Sequence, residues 1–249
     1  MTELPSGYRE SVTRGVRLVA REDMHETFGA SLRDSTLHAW AAAQPGARAL
    51  QGRGVAWAVR VGVTSVVVRH SRHGGLLAPI TGDVFVSPSR APRELAVASQ
   101  LAAAGVPTPA VLAFATYVAA GPLCRADVVT AYVDGVDLPA AWQSADAAGR
   151  DAILAAVAEL VARMRVAGAV HEDFNVKNVL VTGAGAAREA VLLDVDRVVF
   201  VPPGHPGGTR RNLARLQRSV AKWRERHGLD VDAAAWERLA GAAMAGVTP

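Results

Sequence analysis

The stretch that decides the fold of this chain is His171-Glu172-Asp173-Phe174-Asn175-Val176-Lys177-Asn178, followed downstream by Leu193-Asp194-Val195-Asp196. An asparagine follows the first aspartate by five residues, and a further aspartate comes sixteen residues beyond that asparagine. The apolar pattern indicates a helix before the first stretch and two short strands around the later aspartate. We therefore expect three oxygen-bearing side chains, those of Asp173, Asn178 and Asp194, to meet at one site.

This spacing, D-x-x-x-x-N followed by another aspartate, is typical of kinase-like phosphotransferases. Phosphoryl transfer needs a carboxylate that orients the attacking hydroxyl, and oxygen ligands that hold Mg²⁺ against the phosphates. We predict that Asp173 is the catalytic residue and that Asn178 and Asp194 are the metal ligands. The alternative is that they are ordinary loop acids and amides that cap turns.

A cation and an acid upstream of the motif indicate how a nucleotide is held. A strand over residues 65–69 ends in Arg69, and Glu94 lies early in a helix that begins at residue 92. Kinases hold phosphates with a strand lysine and a helix glutamate in this order, and arginine can replace the lysine because it keeps its charge. The alternative is an exposed strand-end arginine and a helix-start glutamate favoured by the helix dipole.

Two further segments are candidates for nucleotide binding. Gly52, Arg53 and Gly54 lie between two strands, where a flexible turn lets backbone N–H groups approach phosphates. Thr130 and Tyr132 lie at the end of a strand, where kinase folds offer backbone groups to adenine. A plain hairpin turn and a plain buried strand are the respective alternatives.

The order of predicted elements changes near the middle of the chain. The first part is rich in short strands, whereas the part after Asp134-Gly135 is mainly helical, so we predict an α+β fold with a boundary at residue 134. Helices are predicted over residues 27–43, 92–104, 151–167 and 210–227. Strands are predicted over residues 47–50, 56–61, 65–69, 110–118, 126–133, 179–182 and 191–194.

Composition narrows the class of protein. Half of the 249 residues are apolar, which permits a large core and argues against intrinsic disorder. The net charge of +4 suggests an anionic partner such as a nucleotide, a phosphorylated glycolipid or a membrane surface.

Cys124 is the single cysteine, so an intramolecular disulfide framework is excluded. Residues 1–21 carry too many charges for a signal peptide or a spanning helix, and we expect the protein in the cytoplasm.

The predicted last helix is strongly basic. It could press on anionic lipid headgroups, or it could be the final helix of its lobe with its charges solvated. Its cations are Arg210, Arg211, Arg215, Arg218, Lys222, Arg224 and Arg226.

These motifs together make the chain resemble the bacterial lipopolysaccharide kinases over residues 49–223. In that family an arginine stands where other kinases have the strand lysine, which fits Arg69. The marks of the resemblance are Gln51-Gly52-Arg53-Gly54 with Trp57, residues 68–76, Arg93-Glu94, residues 105–109, residues 171–180, residues 194–197 and residues 212–222.

The resemblance implies a two-lobed protein-kinase-like fold. Residues 1–134 would form an N-lobe with a small antiparallel sheet and a helix, and residues 135–249 would form a mainly helical C-lobe. It also implies that ATP and Mg²⁺ are used to phosphorylate a hydroxyl of 3-deoxy-D-manno-octulosonic acid (Kdo) on Kdo-lipid A. The acceptor, an anionic glycolipid, would be met at the cytoplasmic face of the inner membrane, and no nucleic acid partner is expected.

Two alternatives to this function stay open. The chain could be a kinase that acts on another small molecule or on a protein serine, although little sequence after Asp194 is left for a protein-substrate platform. It could also be a non-catalytic kinase-like binding module, against which the presence of all three core polar residues argues.

The chain departs from the usual family pattern at His73, Glu172, Phe174 and Val195. These departures concern the acceptor more than phosphoryl transfer. His171 is expected to support the catalytic segment by packing and hydrogen bonding. Three neighbouring side chains have two open roles each. Glu172 contacts either the acceptor or solvent, and Lys177 either neutralises charge on the γ-phosphoryl group or is an ordinary exposed lysine. Asp196 either assists the metal or pairs with Arg197.

Overall fold

The structure is a computed structural model that describes residues 4–50, 54–72, 82–87 and 89–245. The chain divides into two compact units. The first consists of Met1–Ser99 and Ala110–Tyr132, and the second of Gln100–Pro109 and Val133–Pro249. The boundary predicted at residue 134 stays a prediction.

The first unit is built on one antiparallel sheet. The strand order is β1-β2-β7-β8-β5-β4-β3, and β6 pairs with β8 outside this path. β5 is a central strand, so the end of it that carries Arg69 is held between Ala56 of β4 and Val128 of β8. The strands are β1 Tyr8–Thr13, β2 Val16–Arg21, β3 Arg48–Leu50, β4 Ala56–Val61, β5 Thr64–His70, β6 Phe85–Val86, β7 Val111–Ala120 and β8 Leu123–Ala131.

The helices α1 (Glu22–Ser31) and α2 (Leu37–Ala42) pack on this sheet, and α3 (Ala91–Ala103) begins in the first unit and ends in the second. The prediction of one helix over residues 27–43 is wrong, because Thr36 is an N-cap that accepts a hydrogen bond from Ala39 N and starts a new helix. Phe28 of α1 and Leu37 of α2 are both fully buried in the core. The hairpin of β1 and β2 has no counterpart among the predicted strands.

The second unit contains four helices in its described part and two small sheets. One sheet has the strand order β12-β11-β9, and the other pairs β10 with β13. The helices are α4 Leu138–Ser144, α5 Ala147–Val166, α6 Pro206–His227 and α7 Ala233–Ala245. The strands are β9 Val136–Asp137, β10 Ala169–His171, β11 Val179–Thr182, β12 Glu189–Leu192 and β13 Val198–Phe200.

A glycine turn connects the long buried helix α5 to residues 171–178, the predicted catalytic segment. Gly168 has φ +68°, and a Cβ there would lie 2.1 Å from Val201 O, so only glycine fits. Its carbonyl accepts a hydrogen bond from Val201 N at 2.8 Å. The turn thereby sends the chain directly from α5 into β10.

Several predicted elements of this unit differ from the structure, among them α6, which begins at Pro206 and not at residue 210. α5 begins four residues early because Asp146 caps it by accepting from Gly149 N. β12 ends at Leu192, so Asp194 lies outside the strand predicted to contain it. The helix α7 was not predicted at all. Within the described residues, no helix has the length and apolar character needed to cross a membrane.

Candidate active site

A buried histidine organises the catalytic segment. His171 is fully buried at the end of β10, and its Nδ1 accepts a hydrogen bond from Asp173 N at 3.1 Å. Its Nε2 lies 3.1 Å from Leu193 O, and because a carbonyl can only accept, Nε2 carries the proton. Burial lowers the pKa of His171, which favours the same neutral form. The supporting role expected for this residue is confirmed.

Backbone contacts of Asp173 hold the catalytic loop closed. Its carbonyl oxygen accepts hydrogen bonds from Asn175 Nδ2 at 2.9 Å and from Asn178 Nδ2 at 2.8 Å. Asp173 itself is exposed to solvent. The loop therefore presents a solvent-accessible carboxylate from a backbone that is fixed on both sides.

A hydrogen bond between two backbone groups brings Asn178 next to Asp194. Leu193 N donates to Asn178 O at 2.9 Å, which continues the β11–β12 hairpin by one step beyond the pair Val179 and Leu192. Asp194 follows immediately and has φ 58° and ψ 44°, the left-handed region, which re-aims its side chain. Asn178 and Asp194 thus lie at the same end of one hairpin.

The donor set suits a magnesium ion. Asn178 uses its amide nitrogen to bind Asp173 O, so its Oδ1 is the atom that remains for a ligand, and Asp194 is an exposed carboxylate. Mg²⁺ prefers oxygen ligands and usually completes its shell with waters and substrate phosphates. Among the described residues no group of three His, Cys, Asp or Glu side chains could hold a metal, so phosphates and waters would have to supply the remaining ligands.

Helix α6 holds the catalytic segment through polar side chains that sequence reasoning missed. Asn212, which is 1% exposed, accepts from His171 N at 3.0 Å and donates from Nδ2 to Ala169 O at 2.9 Å. Ser219 Oγ accepts from Val176 N at 3.2 Å. The available signal was an asparagine beside the apolar stripe of a predicted helix, where a buried amide needs partners.

The side chains around the motif have structural partners. Lys177 Nζ forms an ion pair with Asp137 and lies 5.6 Å from the ring centre of Trp223. Glu172 is exposed, while its backbone N–H donates to Arg197 O at 2.9 Å. These contacts favour a structural role for Lys177 and a solvent-facing position for Glu172.

Within the first unit, the predicted cation and acid are in contact. Arg69 Nη2 donates to Glu94 Oε1. The Glu94 side chain is 7% exposed and that of Arg69 is 33% exposed, so the carboxylate is buried while part of the guanidinium reaches solvent. Such an arrangement fixes the orientation of the arginine and leaves part of it accessible to a phosphate.

The predicted glycine turn is described in part. Gly52 and Arg53 lie outside the described residues. A Cβ on Gly54 would lie 3.5 Å from Arg72 Cδ, so the end of the turn adjoins a second cation. His38 Nε2 lies 2.9 Å from the carbonyl oxygen of Val55 and supports the next residue.

Thr130 and Tyr132 lie where β8 ends. Thr130 pairs with Val67 and Val111, and Tyr132 N donates to Ser65 O at 2.9 Å. Arg48 Nη2 donates to the hydroxyl of Tyr132 at 2.6 Å. The backbone N–H of Tyr132 is already bonded to Ser65. Any adenine contact at Tyr132 would therefore have to involve its carbonyl oxygen or the residues that follow.

Comparison with known proteins identifies the family. A sequence model of the Lipopolysaccharide kinase (Kdo/WaaP) family matches residues 38–242. The chain belongs to this family. It is therefore a kinase, a phosphotransferase, and the sequence-based recognition is confirmed.

Relatives of this kinase come from several bacteria. It is 30% identical over 192 residues to 3-deoxy-D-manno-octulosonic acid kinase of Xylella fastidiosa (strain 9a5c), which covers 76% of this chain and 74% of the relative. It is 34% identical over 177 residues to the protein of the same name from Stenotrophomonas maltophilia (strain R551-3), covering 70% and 68%.

Solved structures confirm the fold class of the kinase. "WaaP in complex with acyl carrier protein" matches with a TM-score of 0.60 and 17% identity, over 92% of this chain and 89% of the other. An aminoglycoside-3'-phosphotransferase of type VIII matches with a TM-score of 0.56 and 18% identity, over 90% and 95%. The predicted α+β, two-lobed protein-kinase-like fold is therefore confirmed.

Proposed function

We propose that this kinase transfers the γ-phosphoryl group of ATP to a hydroxyl of Kdo on Kdo-lipid A. The observation that carries the proposal is the hydrogen-bonded frame of Asp173, Asn178 and Leu193, which leaves the two aspartates of the motif exposed. The named relatives support Kdo as the acceptor.

Asp173 is the proposed catalytic residue. Its carboxylate orients the acceptor hydroxyl and takes its proton, while the hydroxyl oxygen bonds to the γ-phosphorus and the bond from phosphorus to the ADP oxygen breaks. His171 and Asn178 hold the Asp173 backbone, so the carboxylate reaches the acceptor from a fixed position.

Asn178 and Asp194 are the proposed Mg²⁺ ligands. When bound, the ion neutralises negative charge on the phosphates and lines them up for transfer. Asn178 supplies an amide oxygen and Asp194 a carboxylate. The hydrogen bond between Leu193 and Asn178 keeps these two ligands at a constant spacing.

Arg69 is the proposed phosphate-binding cation of the first unit. Glu94 orients it, and the guanidinium can bind two phosphate oxygens at once. We further propose that Gly52, Arg53 and Gly54 approach the phosphates and that Thr130 and Tyr132 border the adenine. For Tyr132 we now favour its carbonyl oxygen, because its N–H is already bonded.

The acceptor determines where the kinase works. Because Kdo-lipid A is an anionic glycolipid of the inner membrane, we propose that the kinase acts at the cytoplasmic face of that membrane and contacts it peripherally. The positive net charge of +4 is consistent with such a partner.

Mass spectrometry of Kdo-lipid A tests the proposal. After incubation with the kinase, ATP and Mg²⁺, we expect one additional phosphate located on Kdo, and no product when Mg²⁺ is chelated. Asp173→Asn should reduce the rate by roughly 10²–10⁴-fold, the usual range for a lost general base. Glu172→Gln is the matched control because it removes the neighbouring exposed carboxylate, and it should keep most of the activity.

Two results would reject the proposal. Equal turnover in wild type and Asp173→Asn would remove the catalytic assignment. Phosphate appearing on an aminoglycoside or a protein serine, with none on Kdo, would retain the kinase chemistry but replace the acceptor.

A further inference from the structure

Helix α6 (Pro206–His227) carries a row of cations along one flank. Arg211, Arg215, Arg218, Lys222 and Arg226 recur at spacings of four, three, four and four residues. Positions with these spacings lie on one side of an α-helix, and at 1.5 Å per residue the row is about 22 Å long. We call these five residues the cationic row.

The cationic row is available to a partner. Arg215 is half-buried and the other four residues are exposed. In the described part of the chain, no ion pair within 4.0 Å is found for any of the five. Glu225 is an exposed acid at the edge of the row, which leaves a clear excess of positive charge.

The row lies beside the catalytic segment. Arg211, Arg218 and Lys222 each directly precede a residue that contacts this segment, namely Asn212, Ser219 and Trp223. Consecutive helix residues are about 100° apart around the axis. The cations therefore occupy the flank next to the face of α6 that holds residues 169–177.

The apolar face of α6 is already used. Leu213, Leu216 and Val220 are buried in the core of the second unit. The helix therefore has no apolar face left to insert among lipid tails, and attraction to a surface has to come from charge. Such binding is reversible and weakens with salt.

We propose that the cationic row of α6 docks the kinase on an anionic lipid surface and so sets the catalytic segment close to it. The occupant is a layer of phosphate-bearing headgroups, because a straight row of five cations fits a flat surface of regularly spaced anions. The inference rests on the proposed function, in which the acceptor is itself a membrane glycolipid.

Vesicle co-sedimentation tests the docking. Wild type should bind vesicles that contain phosphatidylglycerol and should not bind pure phosphatidylcholine, and binding should be lost near 1 M salt, where the Debye length falls to about 3 Å. The triple variant Arg211→Gln/Arg218→Gln/Lys222→Gln should bind on the order of 100-fold more weakly. Thermal unfolding of the same variant establishes that it is folded.

A matched control separates the row from net charge. The variant Arg9→Gln/Arg33→Gln/Arg60→Gln also removes three exposed cations, but from the first unit. It should bind anionic vesicles within about twofold of wild type, because the proposal assigns the attraction to the cationic row and not to the net charge.

Three outcomes would overturn the docking proposal. They are equal vesicle binding by the row variant and wild type, equal loss in both triple variants, and loss of RNA binding in the row variant with vesicle binding unchanged. The vesicle assay does not depend on phosphoryl transfer. Asp173→Asn should lose transfer and retain vesicle binding, so failure of docking and failure of the proposed function are recorded separately.

Discussion

Asn212 Oδ1 accepts a hydrogen bond from the backbone N–H of His171 at 3.0 Å, in a fully buried position. The same amide donates to Ala169 O, so one side chain of α6 bonds to backbone groups at the first and the last residue of the short strand β10. Asn212→Leu should lower the free energy of unfolding by about 2–4 kcal/mol, because two buried backbone groups lose their partner. Urea denaturation measures this loss.

Asn212 should also act as a positioning residue for catalysis. At a temperature where Asn212→Leu remains folded, we expect kcat to fall by roughly tenfold with little change in KM, since the loop that carries Asp173 loses its anchor. Gln217→Ala, an exposed change on the same helix, should alter stability by less than about 0.5 kcal/mol. Unchanged kcat in Asn212→Leu would contradict the positioning role.

Asp194 combines a proposed ligand role with a left-handed backbone, and substitutions can separate the two. Asp194→Asn should keep stability, because asparagine tolerates φ 58°, but should lower activity by more than roughly 100-fold. Asp194→Ala should lose about 1 kcal/mol of stability in addition, because alanine has no local hydrogen bond to offset the left-handed geometry. Denaturation and initial-rate measurements distinguish the two effects.

Asp194→Gly provides the control for this pair. Glycine adopts positive φ readily, so this variant should be at least as stable as Asp194→Ala and equally inactive. Full activity in Asp194→Gly would show that the carboxylate is not needed.

Arg69 and Glu94 should be energetically coupled. Arg69→Met leaves a carboxylate that is 7% exposed without this cation, and we expect a loss of about 2–4 kcal/mol in the free energy of unfolding. Adding Glu94→Leu to the Arg69→Met variant should restore part of this stability, because the uncompensated buried charge is then removed. A double-mutant cycle by urea denaturation measures the coupling, and a value below about 0.3 kcal/mol would contradict it.

The contribution of His70 to the stability of the first unit should decrease at high pH. Asp127, a fully buried carboxylate 2.5 Å from Nδ1, raises the pKa of His70, and Asp83 at Nε2 adds to this, against the effect of burial. A raised folded pKa means that the stabilisation is complete below the ordinary pKa of about 6.5 and is lost as pH rises through the folded value. The difference in the free energy of unfolding between wild type and His70→Gln should therefore be constant up to about pH 6.5 and shrink as the pH rises further. Urea denaturation between about pH 6 and pH 9 measures this difference.

His25 provides a control of opposite sign. Burial lowers the pKa of His25, with a further contribution from Arg9, so its stabilising neutral form is lost as pH falls through about 6.5 and below. The difference between wild type and His25→Gln should accordingly shrink towards acid pH. The same slope in both variants would contradict the assignment for His70.

The sequence predicted that Asp173 and Asn178 share one loop, and the structure has them in one loop, because the two residues are close along the chain. The spacing of Asp173 and Asn178 fits one loop, in which Asn178 Nδ2 reaches Asp173 O directly. Gly168 marked the end of α5 for a similar reason, since a left-handed turn selects glycine locally. In contrast, the helix predicted over residues 27–43 was divided by Thr36, whose capping role competes with an otherwise helical pattern.

By itself, the sequence determined the motif, the family and the α+β character of the kinase, because these depend on residue type and short-range spacing. Only the tertiary structure decided that Asn212 holds His171 from a helix 41 positions away, and that Asp194 lies beyond the end of β12 with a left-handed backbone. Hydrogen bonds between distant segments depend on which elements pack together, and periodicity carries no information about that pairing.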